Sequence, residues 1–150
     1  MSSPVTEVQM LIRKPASEVL NAFIDPEITK NFWFTKSSGR LDLNKVITWE
    51  WEMYGVSTIA VAREIIPDSK LVFEWNDPVR QVEINLNKTS ADTTYVVITE
   101  SGYIETEDDL LQAIKDSTGG FTTVLDGLKA WLEHGINLNL IADKFAGQTE

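Results

Sequence analysis

The order of strand-like and helix-like periods along the chain restricts the folds open to it. Five segments with strand-like composition and alternation follow one another at about 46–53, 56–66, 70–76, 80–87 and 93–101. Short runs of turn-forming residues separate them, among them Tyr54-Gly55 and Asn76-Asp77-Pro78. Because parallel neighbours need long crossover connections, links this short predict an antiparallel meander.

The N-terminal region predicts a further strand followed by two helices. Val8, Met10 and Ile12 alternate with polar residues, which indicates a first strand with one buried face, although Leu11 interrupts the pattern. PASEVLNAFI at 15–24 has helical spacing. Asp25-Pro26-Glu27 then supplies a capping residue, a proline at the first helical position and an acid in the first turn, which predicts a second short helix.

After Gly102 the apolar spacing changes to three and four residues, which predicts a long or kinked C-terminal helix. Thr106 is the predicted N-cap, and His134 is expected in the last turn, where a basic side chain complements the helix dipole. The final residues, AGQTE, are typical of a frayed end.

These elements predict an α+β fold. A curved six-stranded antiparallel sheet has one face to bury, and only the C-terminal helix is long enough to cover it. We therefore expect the sheet to wrap around that helix, with two short helices between strands 1 and 2. Residues 1–150 are expected to form one domain.

Three glycines interrupt the pattern of the C-terminal helix, and two interpretations stay open. Gly119-Gly120 could form a kink or a break, and Gly127 could let the helix backbone approach the sheet. Alternatively, the missing side chains leave room for a guest between helix and sheet.

Composition excludes several functions. The 13 basic and 23 acidic side chains give a net charge of −10, which disfavours nucleic acid and anionic membranes as partners. No cysteine is present, and His134 is the only histidine, so no metal site or cofactor is expected. The chain shows neither a secretory leader nor an apolar stretch long enough to span a membrane, so a cytoplasmic protein without stable membrane insertion is expected.

Large aromatic side chains are concentrated on two predicted strands. Trp49, Trp51 and Met53 share one face of their strand, and Phe73 and Trp75 share a face of another. Such faces either fill a core or line a pocket with flat apolar walls.

Several short motifs occur in an order that resembles a known superfamily. They are AFIDP and NFWF in the N-terminal third, then EIIP, the strand LVFEW, and TESGY ahead of the last helix. In this order they resemble the START-like, helix-grip (SRPBCC) superfamily, and within it the bacterial branch named after the activator of a heat-shock chaperone ATPase. The resemblance covers nearly the whole chain.

The resemblance implies a hollow between sheet and helix, which in relatives holds lipids, sterols, polyketides or flavonoid-like molecules. Phe23, Phe32 and Trp33 are expected to close one end of it. The complete set of candidate ligand-binding residues is Phe23, Phe32, Trp33, Trp49, Trp51, Met53, Phe73, Trp75, Val96, Ile98, Glu100, Phe121, Leu125 and Leu128.

Glu100 and Tyr103 are the weak candidates for a catalytic role. If Val96 and Ile98 face the core, strand alternation puts Glu100 on the same side, near Tyr103. A carboxylate at a pocket rim could orient a polar group or act as a base. Alternatively, Glu100 lies past the buried part of the strand and is solvated.

Three functions remain after these exclusions. The first is binding of a small hydrophobic molecule, aromatic or lipid-like, without catalysis. The second is an enzyme of the polyketide-cyclase type, which would need Glu100 or Tyr103 in the cavity. The third is a module that binds a chaperone and activates its ATPase. The chain is expected to be a monomer or a weak homodimer, because free strand edges allow pairing but nothing requires it.

Overall fold

The computed structural model describes residues 3–146, which contain seven β-strands and four α-helices. In chain order the elements are β1 (Thr6–Ile12), α1 (Ala16–Ile24), α2 (Pro26–Thr29), β2 (Lys36–Ser37), β3 (Val46–Trp51), a 3₁₀ turn (Glu52–Tyr54), β4 (Val56–Ile66), β5 (Lys70–Trp75), β6 (Arg80–Ser90), β7 (Thr93–Ser101), α3 (Glu107–His134) and α4 (Leu140–Lys144). The α+β class, the antiparallel sheet and the long C-terminal helix are as predicted.

The strands form one sheet in the order β1-β7-β6-β5-β4-β3-β2, and every strand pair is antiparallel. One isolated bridge outside the strands, between Leu43 and Ala62, is parallel. The prediction of six strands was wrong, because β2 adds a seventh. It pairs Lys36 with Glu50 and Ser37 with Trp49, and its two residues are too few to show an alternation.

The two short helices are confirmed. The side chain of Asp25 accepts a hydrogen bond from the backbone N–H of Glu27 at 3.0 Å, and Pro26 occupies the first turn of α2. The rings of Phe23, Phe32 and Trp33 are all buried. Phe23 meets Phe32 edge-on with ring centroids 5.7 Å apart, so the α1–α2 region contributes a packed aromatic cluster to the core.

Two strand ends differ from the prediction by two residues or more. The strand expected to reach residue 53 ends at Trp51, because the chain turns into the 3₁₀ segment. Met53 consequently does not share the inward face of Trp49 and is 39% exposed. The strand expected to end at residue 87 continues to Ser90, so that only Ala91 and Asp92 separate β6 from β7.

Helix α3 is continuous through Gly119-Gly120, so the long helix is confirmed and the break considered at these glycines does not occur. Thr106 occupies the N-cap position, but its side chain makes no capping hydrogen bond. His134 lies in the last turn, as expected, and Gly135 follows in the left-handed conformation with φ of 65°. Helix α4 was not predicted, and residues 147–150 of the predicted frayed end lie outside the described residues.

The C-terminal half of α3 is fixed to the edge strand β1 by polar contacts. Lys129 Nζ donates to the carbonyl of Leu11 at 2.9 Å and forms an ion pair with Glu133 at 2.7 Å. Glu133 also accepts a hydrogen bond from the backbone N–H of Arg13 at 2.8 Å. These contacts hold the helix across the sheet while Phe121, Val124, Leu125 and Leu128 pack into the core.

Gly127 is the glycine at which a close approach matters. A Cβ atom there would lie 3.0 Å from Phe32 Cβ and 3.2 Å from the Phe32 carbonyl oxygen. The missing side chain at Gly127 therefore lets the segment after α2 lie close to the helix backbone, whereas the sequence predicted a close approach of the sheet. Gly120 is the opposite case, because a Cβ there meets no heavy atom within 4 Å.

We expect Gly127→Ala and Gly120→Ala to change stability in opposite directions. The first crowds Phe32 and should lower the free energy of unfolding by about 1–3 kcal/mol. The second removes a helical glycine without a clash and should raise it by about 0.5–1 kcal/mol. Urea denaturation of both variants checks this, and equal effects of the two substitutions would contradict the close approach at Gly127.

We expect Glu133 to contribute to stability above its unfolded-state pKa. Burial opposes ionisation, but the hydrogen bonds from Lys129 and Arg13 and the positive charge of Lys129 outweigh it and lower the pKa of Glu133 from 4.5. A depressed folded-state pKa stabilises the fold above about pH 4.5, and this contribution is lost as pH falls through the folded value. Unfolding curves between pH 7 and pH 3 should therefore show a shallower acid loss for Glu133→Gln than for the parent chain. Parallel curves would show that Glu133 does not contribute.

Candidate functional site

A cavity of about 400 Å³, open to solvent, lies between the middle of α3, the sheet and the C-terminal segment that contains α4. Its wall is mostly aromatic and aliphatic, and it also includes four polar side chains, those of Asn76, Arg80, Asp116 and Ser117. The lining residues are Trp33, Trp51, Tyr54, Val56, Trp75, Asn76, Arg80, Asp116, Ser117, Gly120, Phe121, Val124, Ile141 and Phe145. Its volume falls in the range of sites that take small organic ligands.

Helix α3 presents one stripe of residues to this cavity. Asp116, Ser117, Gly120, Phe121 and Val124 follow the three-and-four spacing that brings residues to a single helix face. Because Gly120 carries no side chain and the space beside it is open, the cavity extends up to the helix backbone there. The interpretation that a glycine leaves room for a guest is thus supported at Gly120 and not at Gly127.

Aromatic rings from three parts of the chain form a continuous wall. The ring centroid of Trp33 lies 5.5 Å from that of Trp75 and 6.3 Å from that of Trp51. Trp75 lies 5.6 Å from Phe121 of α3. The rings are inclined to one another, so they meet by edge and face and leave no gap for bulk water between them.

A second aromatic pair ties the C-terminal segment to the cavity. The rings of Tyr54 and Phe145 lie 6.2 Å apart. The hydroxyl of Tyr54 lies 2.5 Å from the carbonyl oxygen of Ile141 and 2.8 Å from that of Ala142, and it donates its proton to this pair of acceptors. The 3₁₀ turn thus holds α4 in place as part of the wall.

Glu100 lies behind the wall and is fully buried, so the alternative of a solvated side chain is excluded. Its Oε2 accepts a hydrogen bond from Trp75 Nε1 at 2.8 Å, and its Oε1 accepts one from the Tyr103 hydroxyl at 2.9 Å. Arg80 Nη1 lies 3.6 Å from Oε1. Both carboxylate oxygens of Glu100 therefore have hydrogen-bond partners, as a buried polar group requires.

Tyr103 connects this carboxylate to β1. Since its proton goes to Glu100, the contact of 2.6 Å between Tyr103 and Thr6 is a hydrogen bond donated by the threonine hydroxyl. Burial raises the pKa of Tyr103, opposed by hydrogen bonds with Ser117 and Thr6 and supported by the charge of Glu100. The phenol is therefore a neutral donor near pH 7 and not a base.

Arg80 joins the buried network to the cavity. Its guanidinium forms an ion pair with Glu105 and lies 4.4 Å from the centre of the Tyr103 ring. Its Nη1 also lies 3.4 Å from Ser117 Oγ, with a geometry that permits donation. Backbone hydrogen bonding and the contact with Arg80 lower the pKa of Glu105. Arg80 therefore has two carboxylate partners, Glu100 and Glu105.

The structure brings some of the predicted site residues to the cavity and leaves others behind it. Trp33, Trp51, Trp75 and Phe121 line it. Phe32 and Met53 line a separate space of about 80 Å³ beside Gly127. The remaining predicted residues are Phe23, Trp49, Phe73, Val96, Ile98, Glu100, Leu125 and Leu128, all of them buried in the core outside the cavity lining.

Sequence reasoning missed the polar residues of the wall. Asp116 and Ser117 could have been found, because they lie about two helical turns ahead of Val124, on the same face of the helix. Strand alternation gave no signal for Arg80 or Tyr54. Arg80 is the first residue of β6, and Tyr54 lies in the 3₁₀ turn after β3.

Two further searches of the described residues concern metals and membranes. No group of three or more His, Cys, Asp or Glu side chains within residues 3–146 is arranged to bind a metal ion. No helix in the same range combines the length and apolar composition that crossing a membrane requires.

The family model for Activator of Hsp90 ATPase homolog 1-like proteins matches residues 13–133. The chain therefore belongs to this family, as the motifs indicated. No curated protein sequence matches it.

Solved structures with the same fold cover most of the chain. Protein SSP2350 of Staphylococcus saprophyticus is 26% identical, with a TM-score of 0.78, over 90% of this chain and 96% of that protein. The Aha1 dimer protein of Colwellia psychrerythraea is 17% identical, with a TM-score of 0.74, over 88% and 98%. DynU16, a putative protein of the dynemicin biosynthetic locus, is 18% identical, with a TM-score of 0.78, over 91% of this chain and 49% of that protein.

We expect Glu100 to be important for stability. Glu100→Gln replaces an oxygen that accepts from Trp75 or Tyr103 by an amide that donates, and one buried donor then loses its partner. This should lower the free energy of unfolding by about 1–3 kcal/mol. Glu105→Gln, a matched change at the partly exposed partner of Arg80, should have a smaller effect in the same denaturation experiment. Equal effects would contradict the buried role of Glu100.

Proposed function

We propose that the protein binds a small apolar molecule, aromatic or lipid-like, in the cavity between α3 and the sheet. The observation that carries this proposal is the cavity of about 400 Å³, whose wall includes three tryptophan rings. Its apolar wall is open to water, and a bound apolar molecule would cover that exposed surface. Removing apolar ligand surface from water against flat aromatic walls would drive binding.

A catalytic role of the polyketide-cyclase type receives less support from the geometry. It requires a carboxylate or phenol that reaches the cavity, and Glu100 and Tyr103 are not among the lining residues. Both are already engaged with Trp75, Thr6 and each other. Their arrangement supports a structural role, in which Glu100 orients the indole of Trp75 in the wall.

The chaperone-partner alternative rests on the name of the family. A chaperone would require an extended docking surface, whereas the feature that carries the proposal above is a concave cavity of a size suited to a small molecule. The Colwellia relative is described as a dimer. For this chain we propose a monomer or a weak homodimer whose cavity is complete within one copy.

Gly120→Leu is the variant that tests the binding proposal. The leucine side chain should enter the open space beside the helix, so that the protein stays folded while the cavity is occupied. Titration with the neutral fluorescent probe N-phenyl-1-naphthylamine should show binding to the parent chain that is at least tenfold weaker in the variant, equivalent to about 1.4 kcal/mol.

Thr122→Leu is the matched control, because Thr122 is on the solvent-exposed face of the same helix. It should leave probe binding unchanged. NMR titration of the parent chain should place the largest shifts on Trp33, Trp75 and Phe121. Equal binding by the parent chain and Gly120→Leu, or shifts scattered over the outer face of the sheet, would refute the proposal.

A further inference from the structure

The polar residues of the cavity wall bear on which apolar molecules it accepts. Asp116 and Ser117 project from α3, and Arg80 lies opposite them at the start of β6. Any ligand that fills the aromatic part of the cavity presents one end to this group. The charge of that end therefore decides how the ligand interacts with it.

Arg80 is already neutralised by its own surroundings. Its guanidinium forms an ion pair with Glu105, lies 3.6 Å from the buried Glu100 and stacks on the ring of Tyr103. An anionic ligand group would have to compete with two carboxylates that are held in place by the fold. Recognition of an anion by Arg80 is consequently disfavoured.

Asp116 is in the opposite situation. Its Oδ1 accepts a hydrogen bond from the neutral amide of Gln112 at 2.8 Å, and within residues 3–146 it belongs to none of the ion pairs. Arg80 and Lys144, whose Nζ lies 5.7 Å from the centre of the Phe145 ring, supply two positive charges near the cavity, against negative charges on Glu100, Glu105 and Asp116. The local balance is thus negative, in the same sense as the net charge of −10.

The aromatic wall favours the same sign of ligand charge. The faces of tryptophan, tyrosine and phenylalanine rings carry negative electrostatic potential, and tryptophan attracts cations most strongly. Trp33, Trp51 and Trp75 all line the cavity, together with Tyr54 and Phe121. A protonated amine would therefore be attracted by the rings as well as by Asp116, whereas a carboxylate would be repelled by both.

We propose that the cavity selects aromatic molecules that carry a protonated amine, with the amine directed towards Asp116. This inference rests on the proposed binding function and specifies its ligand class. The negative charge of the whole protein would also speed the approach of such cations at low ionic strength.

The test uses three naphthalene derivatives of nearly equal size. At about pH 7, 2-naphthylmethylamine is a cation, 2-naphthylmethanol is neutral and 2-naphthoate is an anion. Isothermal titration calorimetry of the whole chain should rank them in that order. We expect the amine to bind about tenfold more tightly than the alcohol, from the combined cation–π and carboxylate contributions.

Asp116→Asn removes the charge while keeping the shape of the side chain. It should weaken binding of the amine about fivefold and leave binding of the alcohol within about twofold. Asp126→Asn is the matched control, since Asp126 is, like Asp116, an exposed residue of α3, but it lies outside the cavity lining. It should leave both affinities unchanged. Raising the salt from about 20 mM to about 500 mM should weaken the amine selectively.

The outcomes separate this inference from the function on which it rests. If the alcohol or the naphthoate binds as tightly as the amine, or if the preference for the amine is undiminished in Asp116→Asn, the cation inference is wrong and the binding function stands. If none of the three compounds binds and no cavity resonance shifts in NMR titration, both fail.

Discussion

The packing of the Trp33 indole joins the three parts of this fold. Trp33 follows the short helices, and its ring lies 6.5 Å from Phe23 of α1, 5.0 Å from Trp49 of β3 and 5.9 Å from Phe121 of α3. One ring thus contacts the helical pair, the sheet and the long helix. Because it is in contact on the core side and also lines the cavity, the cavity has a rigid wall whose position is set by the core.

The buried carboxylate of Glu100 fixes another part of the cavity wall. Burying a charge is costly unless every lone pair finds a partner, and here Trp75, Tyr103 and Arg80 supply the partners. The arrangement fixes the orientation of the Trp75 indole and stabilises the meeting point of β5, β6 and β7. Such a group resembles a catalytic residue when only its position in a strand is known. Its contacts show a group that holds the wall in place.

The sequence predicted most of the fold because its elements carry strong local signals. Alternation placed Trp49 on the inward face, and the Asp25-Pro26 pair marked the start of α2. Elements without a period were missed, namely the two residues of β2 and the single turn of α4. Met53 was misplaced because alternation continues on paper beyond Trp51, where the backbone in fact turns.

The cavity was harder to predict than the sheet, for a physical reason. Alternation identifies which side chains point inward, but whether inward rings meet one another or leave a space depends on how closely the covering helix sits. That distance is set by contacts between residues far apart in the chain, such as Gly127 with Phe32. Alternation within β7 correctly placed Glu100 on the inward face. Its full burial could not be foreseen, because its partners Trp75 and Tyr103 lie outside this strand.

The C-terminal segment has a different evolutionary freedom from the rest of the cavity wall. Ile141 and Phe145 line the cavity, but neither belongs to the fully buried core, and the Tyr54 hydroxyl holds the segment by its backbone carbonyls. Substitutions or changes of length there would alter the shape of the cavity at little cost to folding. The ligand preference of the cavity is in this way adjustable through α4 while the sheet and the tryptophan wall stay constant.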